Sequence, residues 1–274
     1  MASESAVLSA LAAYREHIAS VNHRAMSVLI PQIETVTADD PDLFDSPEEE
    51  TDARLQYTLR LIGAPQANTQ PPIERSPDVL RHWAIVAPQV GLDGATAHLD
   101  LAWRAEMRDA YTAAVLRGLE RIECPTGTWT LPADFRVVMR HVDSLEGPGW
   151  RLLRDMSERL IFWKGWGVPG FVDADQEEKS VRSGRDIINK TVGIDDEYDV
   201  AGGWACGSGN EATCYLMYSR LKGGEDWSWR YVASLGQFGT EVFNDVVALL
   251  HWYKTYGEPS EGDFDVTADE VFQA

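Results

Sequence analysis

The chain is short of positive charge, cysteine, paired histidines and long apolar runs, and each shortage excludes something. Its 274 residues carry 24 Lys and Arg against 44 Asp and Glu, a formal net charge of −20. Binding to a phosphate backbone is driven by clustered Lys and Arg that release counterions, so no nucleic-acid partner is expected. The three cysteines, Cys124, Cys206 and Cys214, form no C-x-x-C pair and are too few for a disulfide framework, so they read as reduced thiols. No run approaches the roughly 18 apolar residues of a membrane helix. Glu4, Arg15 and Glu16 interrupt the N-terminal stretch where a secretory signal would be apolar. The expectation is therefore no membrane partner and a cytoplasmic or nuclear location.

Chemical motifs are equally scarce. His17, His23, His82, His98, His141 and His251 stand singly, with no H-x-x-x-H pair to share a helix face, so no metal is expected. The run Asp173, Asp175, Glu177 begins like a calcium loop, but Lys179 and the missing sixth-position glycine break it. Asp195, Asp196, Glu197 and Asp199 read as a solvated loop. The cluster GGWACGSGN lacks a following Gly-Lys-Ser/Thr, and neither Cys206 nor Ser208 has glycines two positions either side, as a nucleophile elbow needs. No cofactor is expected and no catalytic residue is assigned.

What is present is a globular composition: 44% hydrophobic, 10% aromatic and 25% charged residues, with ten tryptophans. Size scaling lets a chain this long bury about 73% of its unfolded surface, enough for a core without staples. Val7, Leu11, Tyr14, Ile18, Val21, Ala25 and Val28 alternate at spacings of four and three, one helical face that Pro31 should end. The same stripe over residues 5–30 would suit a coiled-coil homodimer. Eight acids between Asp39 and Asp52, with Pro41 and Pro47 among them, read as a solvated linker over 37–52. A short helix is expected over Ala53–Gly63. The segment from Gly257, with six acids and no base, reads as a frayed acidic tail at 258–274.

A second long helix is expected from about Arg104 to Glu123, and a third in LPADFRVVMRHV, where Phe135, Val138, Met139 and Val142 make a buried stripe. Leu152 to Ile161 could add another. From Gly202 the pattern turns to strands at Trp204–Cys206, Thr213–Ser219 and Trp227–Val232, joined by tight glycine turns as a meander. Thr240 is expected to cap a closing helix with Val242, Phe243, Val246, Val247, Leu249, Leu250 and Tyr253 on its apolar face. The fold class is α+β, an antiparallel meander sheet with helices packed on one face. The domain plan is a helical N-terminal extension over 1–100, the α+β domain over 101–257 and the tail.

The segments TLPADFRVVMRHVDSLEG, GWACGSGNEATCYLMYSR, WSWRYV and FGTEVFNDVVALLHWYKTYG resemble the SUKH superfamily, which includes fungal regulators of cell-wall assembly of the Smi/Knr type and bacterial toxin-immunity proteins. Leu131, Pro132, Asp134, Phe135 and Met139 match its Leu-Pro-x-Asp-Tyr/Phe element. Gly207, Gly209 and Asn210 match its turn, and Phe243, Leu249, Leu250 and Trp252 its closing helix. The resemblance covers about residues 104–257 and implies a non-catalytic binding module whose curved sheet and loops hold a protein partner. The expected contact residues are Trp204, Gly207, Gly209, Asn210, Trp227, Trp229 and Arg230. Two other readings stay open: a hydrolase with a dispersed carboxylate or His141 active site, and an acidic inhibitor that engages a basic partner by charge.

Overall fold

The fold is taken from a computed structural model, which describes residues 2–40, 43–64, 69–147, 160–166, 171–209, 211–258 and 264–272. It is α+β. Helices α1 (Glu4–Thr35), α2 (Pro47–Leu61), α3 (Asp78–Arg81), α4 (Trp83–Gln89), α5 (Leu101–Leu119) and α6 (Ala133–His141) precede the first strand. Then come β1 (Leu160–Ile161), α7 (Ala174–Ser180), β2 (Val181–Ser183), α8 (Gly184–Ile188) and α9 (Ile194–Glu197). The meander is β3 (Tyr198–Gly209), β4 (Thr213–Leu221), β5 (Ser228–Ser234) and β6 (Thr240–Phe243), closed by α10 (Val246–Tyr253) and α11 (Ala268–Phe272).

The six strands form one antiparallel sheet in the order β1-β3-β4-β5-β6, with β2 also paired to β3. The edge of β3 is thus shared: β1 pairs at Ser208 and Gly209, and β2 at Gly202 to Trp204. Between them β3 bulges at Ala205–Gly207, and an opening is left beside it. Strand alternation sends Trp204, Cys214, Leu216, Trp229 and Tyr231 to the face covered by α1, α5, α6 and α10. The opposite face carries a smaller cluster in which Ile187 and Ile194 lie on Tyr215, Met217 and Val232.

Helix α1 joins two cores. Its first half, through Val7, Leu11, Tyr14 and Ile18, packs into the sheet domain, where Tyr14 stacks on Tyr253 of α10 at 5.7 Å. Its second half, Ala25 to Ile33, builds another core with α2, α3, α4 and α11. Of the stripe that heptad spacing offers to a second copy, Val7, Leu11, Tyr14, Ile18, Val21 and Ala25 are therefore buried against the chain's own elements, and Val28 is exposed. The helix also runs past Pro31 to Thr35, because a proline removes only one N–H from the ladder. Arg54 of α2 then donates to the Ile33 and Val36 carbonyls at 2.9 and 2.8 Å, supplying the positive charge that a helix C-terminus favours.

Several segments differ from their sequence reading. Helix α2 starts at Pro47, inside the expected linker, because the Ser46 hydroxyl accepts from Glu49 N–H while the Glu49 carboxylate accepts from Asp45 N–H. Glu48, Glu49 and Glu50 therefore sit in a first helical turn, where negative charge is favourable. The tail is docked rather than frayed: Glu258 pairs with Arg24 and His17, and Val271 of α11 is buried in the second core. Asp245, not Thr240, caps α10 by accepting from Ala248 N–H at 2.9 Å, and Thr240 begins β6. Asp195, Asp196 and Glu197 form α9 rather than a loop. The helix expected from Leu152 lies outside the described residues up to Leu160, where β1 begins.

Candidate functional site

The seven expected contact residues separate into different environments. Trp204 is fully buried, its indole N–H donating to the Tyr111 hydroxyl oxygen at 2.9 Å, so it has no surface to offer. Arg230 points to the other face of the sheet, 7% exposed, with its guanidinium 4.8 Å from the Tyr198 ring and donating to the Ser219 carbonyl. Gly207 is a packing glycine: a Cβ there would strike the Ile161 and Phe162 carbonyl oxygens. Gly209 closes the β3–β4 turn by donating to the Ala212 carbonyl, and Asn210 lies outside the described residues. Trp227 and Trp229 remain, and they lie together.

These two line a groove of about 270 Å³ between the β4–β5 hairpin and the 126–136 segment, with Trp129, Tyr218 and Arg136. Trp227 stacks on Tyr218 at 5.9 Å with 25° between planes, and Trp229 lies 5.1 Å from Tyr218 and 5.9 Å from Trp129. The Trp229 indole donates to the Thr130 carbonyl and the Trp129 indole to that of Ile122, both at 2.8 Å. Those bonds fix the groove floor. Arg220 covers the outer side of Trp227 at 5.0 Å. Arg136 is exposed with no ion pair among the described residues, and Glu225 and Asp226, exposed beside Trp227, have none either.

A second hollow, about 520 Å³, fills the opening beside the β3 bulge. Its wall is α7, held to α5 because Glu178 accepts from both Arg117 and Arg121, and because Gly118 lets the two helices approach closely. Asp173 caps α7 by accepting from Asp175 and Gln176 N–H groups, which turns Glu177 toward the hollow. Exposed Lys164 also lines the hollow, its backbone N–H anchored on the Cys206 carbonyl at 3.0 Å. Burial pushes the Glu177 carboxyl up to about 7, with the Asp173 carboxylate adding to the rise and the Lys164 ammonium opposing it. Burial also raises the Tyr111 phenol and the Cys206 thiol, so neither is an anion near neutrality.

The other sequence candidates do not converge. His141 is exposed at the end of α6, while Asp143 is buried, accepting from Arg104 Nε at 2.7 Å and from His98 N–H at 2.6 Å. The calcium-like run forms the cap and first turn of α7. Among the described residues no group of three or more His, Cys, Asp or Glu could hold a metal ion, and no helix is long and apolar enough to cross a membrane. Sequence reasoning missed Trp129, Tyr218 and Arg136 as groove residues, and Lys164 and Tyr111 as neighbours of Glu177. The Trp227-x-Trp229 alternation signals the groove, and the hollow gathers the Asp173–Glu177 run and the Cys206-Gly207-Ser208 cluster, each of which the sequence offers without a sign that they meet.

No protein-family model matches the chain, and no match is found among curated proteins or solved structures.

Proposed function

We propose that the chain is a protein-interaction module of SUKH type, an adaptor or regulator that holds an extended, proline-bearing segment of a partner protein in the Trp129, Tyr218, Trp227 and Trp229 groove. The observation that supports it is the aromatic groove itself: ring faces on a rigid floor, with both floor indole N–H groups already satisfied. Proline-rich segments dock in aromatic-lined grooves because their extended helix is already formed and loses little entropy on binding. Exposed Glu225 and Asp226, which directly precede Trp227 in the chain, and a net charge of −20 favour a basic residue flanking the prolines. Arg136, which lines the groove and makes no ion pair among the described residues, can donate to the segment's carbonyl oxygens.

The test is a library of proline-containing peptides with basic or acidic flanks, titrated against the whole chain and its Trp227→Ala variant by tryptophan fluorescence. The reading expects binding that prefers basic flanks, persists at about 0.5 M salt where exposed charges are screened, and falls at least tenfold in the variant. No binding, or equal binding by both proteins, would overturn it.

A further inference from the structure

The hollow beside the β3 bulge is separate from the groove and is built differently. It lies at the Thr213 end of β4, whereas the groove lies at the Tyr218 end. Its volume of about 520 Å³ is within the usual range for small-molecule sites.

Its charged groups are of both signs, and two of them, Lys164 and Glu177, lack side-chain partners among the described residues. The Lys164 ammonium makes no ion pair among the described residues, and the carboxyl oxygens of Glu177 accept no hydrogen bond there. Tyr111 is 1% exposed; its oxygen already accepts the Trp204 indole N–H, and no described residue accepts the phenol's own proton. That is a buried donor facing a hollow, with no protein acceptor for it. Lys164 is exposed, but Glu177 is half-buried and Tyr111 buried, and unpaired, desolvated groups of that kind cost free energy that a complementary ligand recovers. A simple anion would be repelled by Asp173, and by Glu177 whenever it is ionised, and a simple cation by Lys164. Only a molecule carrying both charges answers every group at once.

We infer that this hollow binds a small zwitterion, a free α-amino acid, with its ammonium at Glu177 and Asp173 and its carboxylate at Lys164 and the Tyr111 hydroxyl. Exposed Phe171 at the mouth and the Ser180, Ser208 and Thr213 hydroxyls surround the remaining space and leave room for a side chain.

The experiment is calorimetric titration of the full chain with each of the twenty free L-α-amino acids. It is repeated for any binder with its N-acetyl and C-amide derivatives, and with the Glu177→Gln and Lys164→Met variants, whose folding is confirmed by circular dichroism. The expected result is binding of at least one amino acid, a tenfold or greater loss on blocking either terminus, and a similar loss in each variant. Absence of binding by all twenty would overturn the inference. So would derivatives that bind as well as the parent, or folded variants that bind like the wild type. None of these outcomes bears on the aromatic groove, so the two readings fail separately.

Discussion

The Tyr231 hydroxyl donates to Asp134 Oδ1 at 2.8 Å, and Asp134 Oδ2 accepts from Val246 N–H at 3.1 Å. One buried carboxylate therefore ties α6 to β5 and to the first turn of α10. It also accepts from its neighbour Phe135 N–H at 3.0 Å. Here the Leu-Pro-x-Asp element has a structural cause: its aspartate joins three elements that are far apart in the chain. Asp134→Ala leaves the Tyr231 hydroxyl and a helix N-terminal amide without an acceptor, and should cost about 2–4 kcal/mol. Tyr231→Phe removes one donor and should cost about 1 kcal/mol. Denaturant unfolding of both single variants and the double variant checks this, and strict additivity would contradict the shared carboxylate.

The docked tail makes its own prediction. Val271 is 2% exposed in the second core, and Phe272 packs edge-on against Phe44 at 5.2 Å and under Arg54 at 5.5 Å. Val271→Asp should destabilise the chain by more than about 2 kcal/mol, because it forces an unpaired carboxylate into apolar surroundings. A melting temperature equal to the wild type would return residues 264–272 to the status of a frayed end.

Glu177 sets a pH dependence whose sign follows from its folded value of about 7 against an ordinary 4.5. The folded chain holds this proton more tightly than the unfolded chain, so stability falls as pH rises through that window and the loss is complete above it. Because the side chain is part-exposed, the effect should be only about 1–2 kcal/mol. Glu177→Gln removes the group's titration. Unfolding measured from pH 4 to 8 should show the variant gaining on the wild type as pH rises, whereas parallel curves would contradict the shift.

The two groove tryptophans should behave differently on truncation. Trp229 bonds to Thr130 and touches Trp129, Trp204 and Tyr218, so Trp229→Ala should cost about 3–5 kcal/mol, as for other packed aromatics. Trp227 rests on Tyr218 from outside, and Trp227→Ala should cost about 1 kcal/mol or less. Melting curves for the pair test this ordering. Equal costs would mean that Trp227 is as structural as its neighbour.

The meander and the long helices were legible because their signals are local: period-two alternation at Thr213 to Ser219, and the i, i+3, i+4 stripe of α1. The start of α2 is also written locally, in Ser46-Pro47-Glu48-Glu49, but the density of acids there reads as a solvated linker instead of a capped first turn. For α10 the cap, Asp245, stands directly before Val246 and Val247, five residues after Thr240. The hollow's segments are locally visible, as the Asp173–Glu177 run and the glycine cluster at Cys206–Ser208, but their meeting is not. Tyr111, Lys164, Glu177 and Cys206 are spread over nearly a hundred residues and meet only because β1 and β2 share one edge of β3. Trp204 shows the complementary limit, since a tryptophan in a strand reads the same whether its ring meets a partner or, as here, the Tyr111 hydroxyl beneath the helices.

The most direct test of the account is an NMR titration with the tightest proline-bearing peptide from the library, following the indole N–H signals of the ten tryptophans. The account predicts that Trp129, Trp227 and Trp229 shift while Trp163 and Trp166, buried in the core, stay in place. Shifts confined to tryptophans away from the groove, or no shift at peptide concentrations that saturate binding, would contradict it.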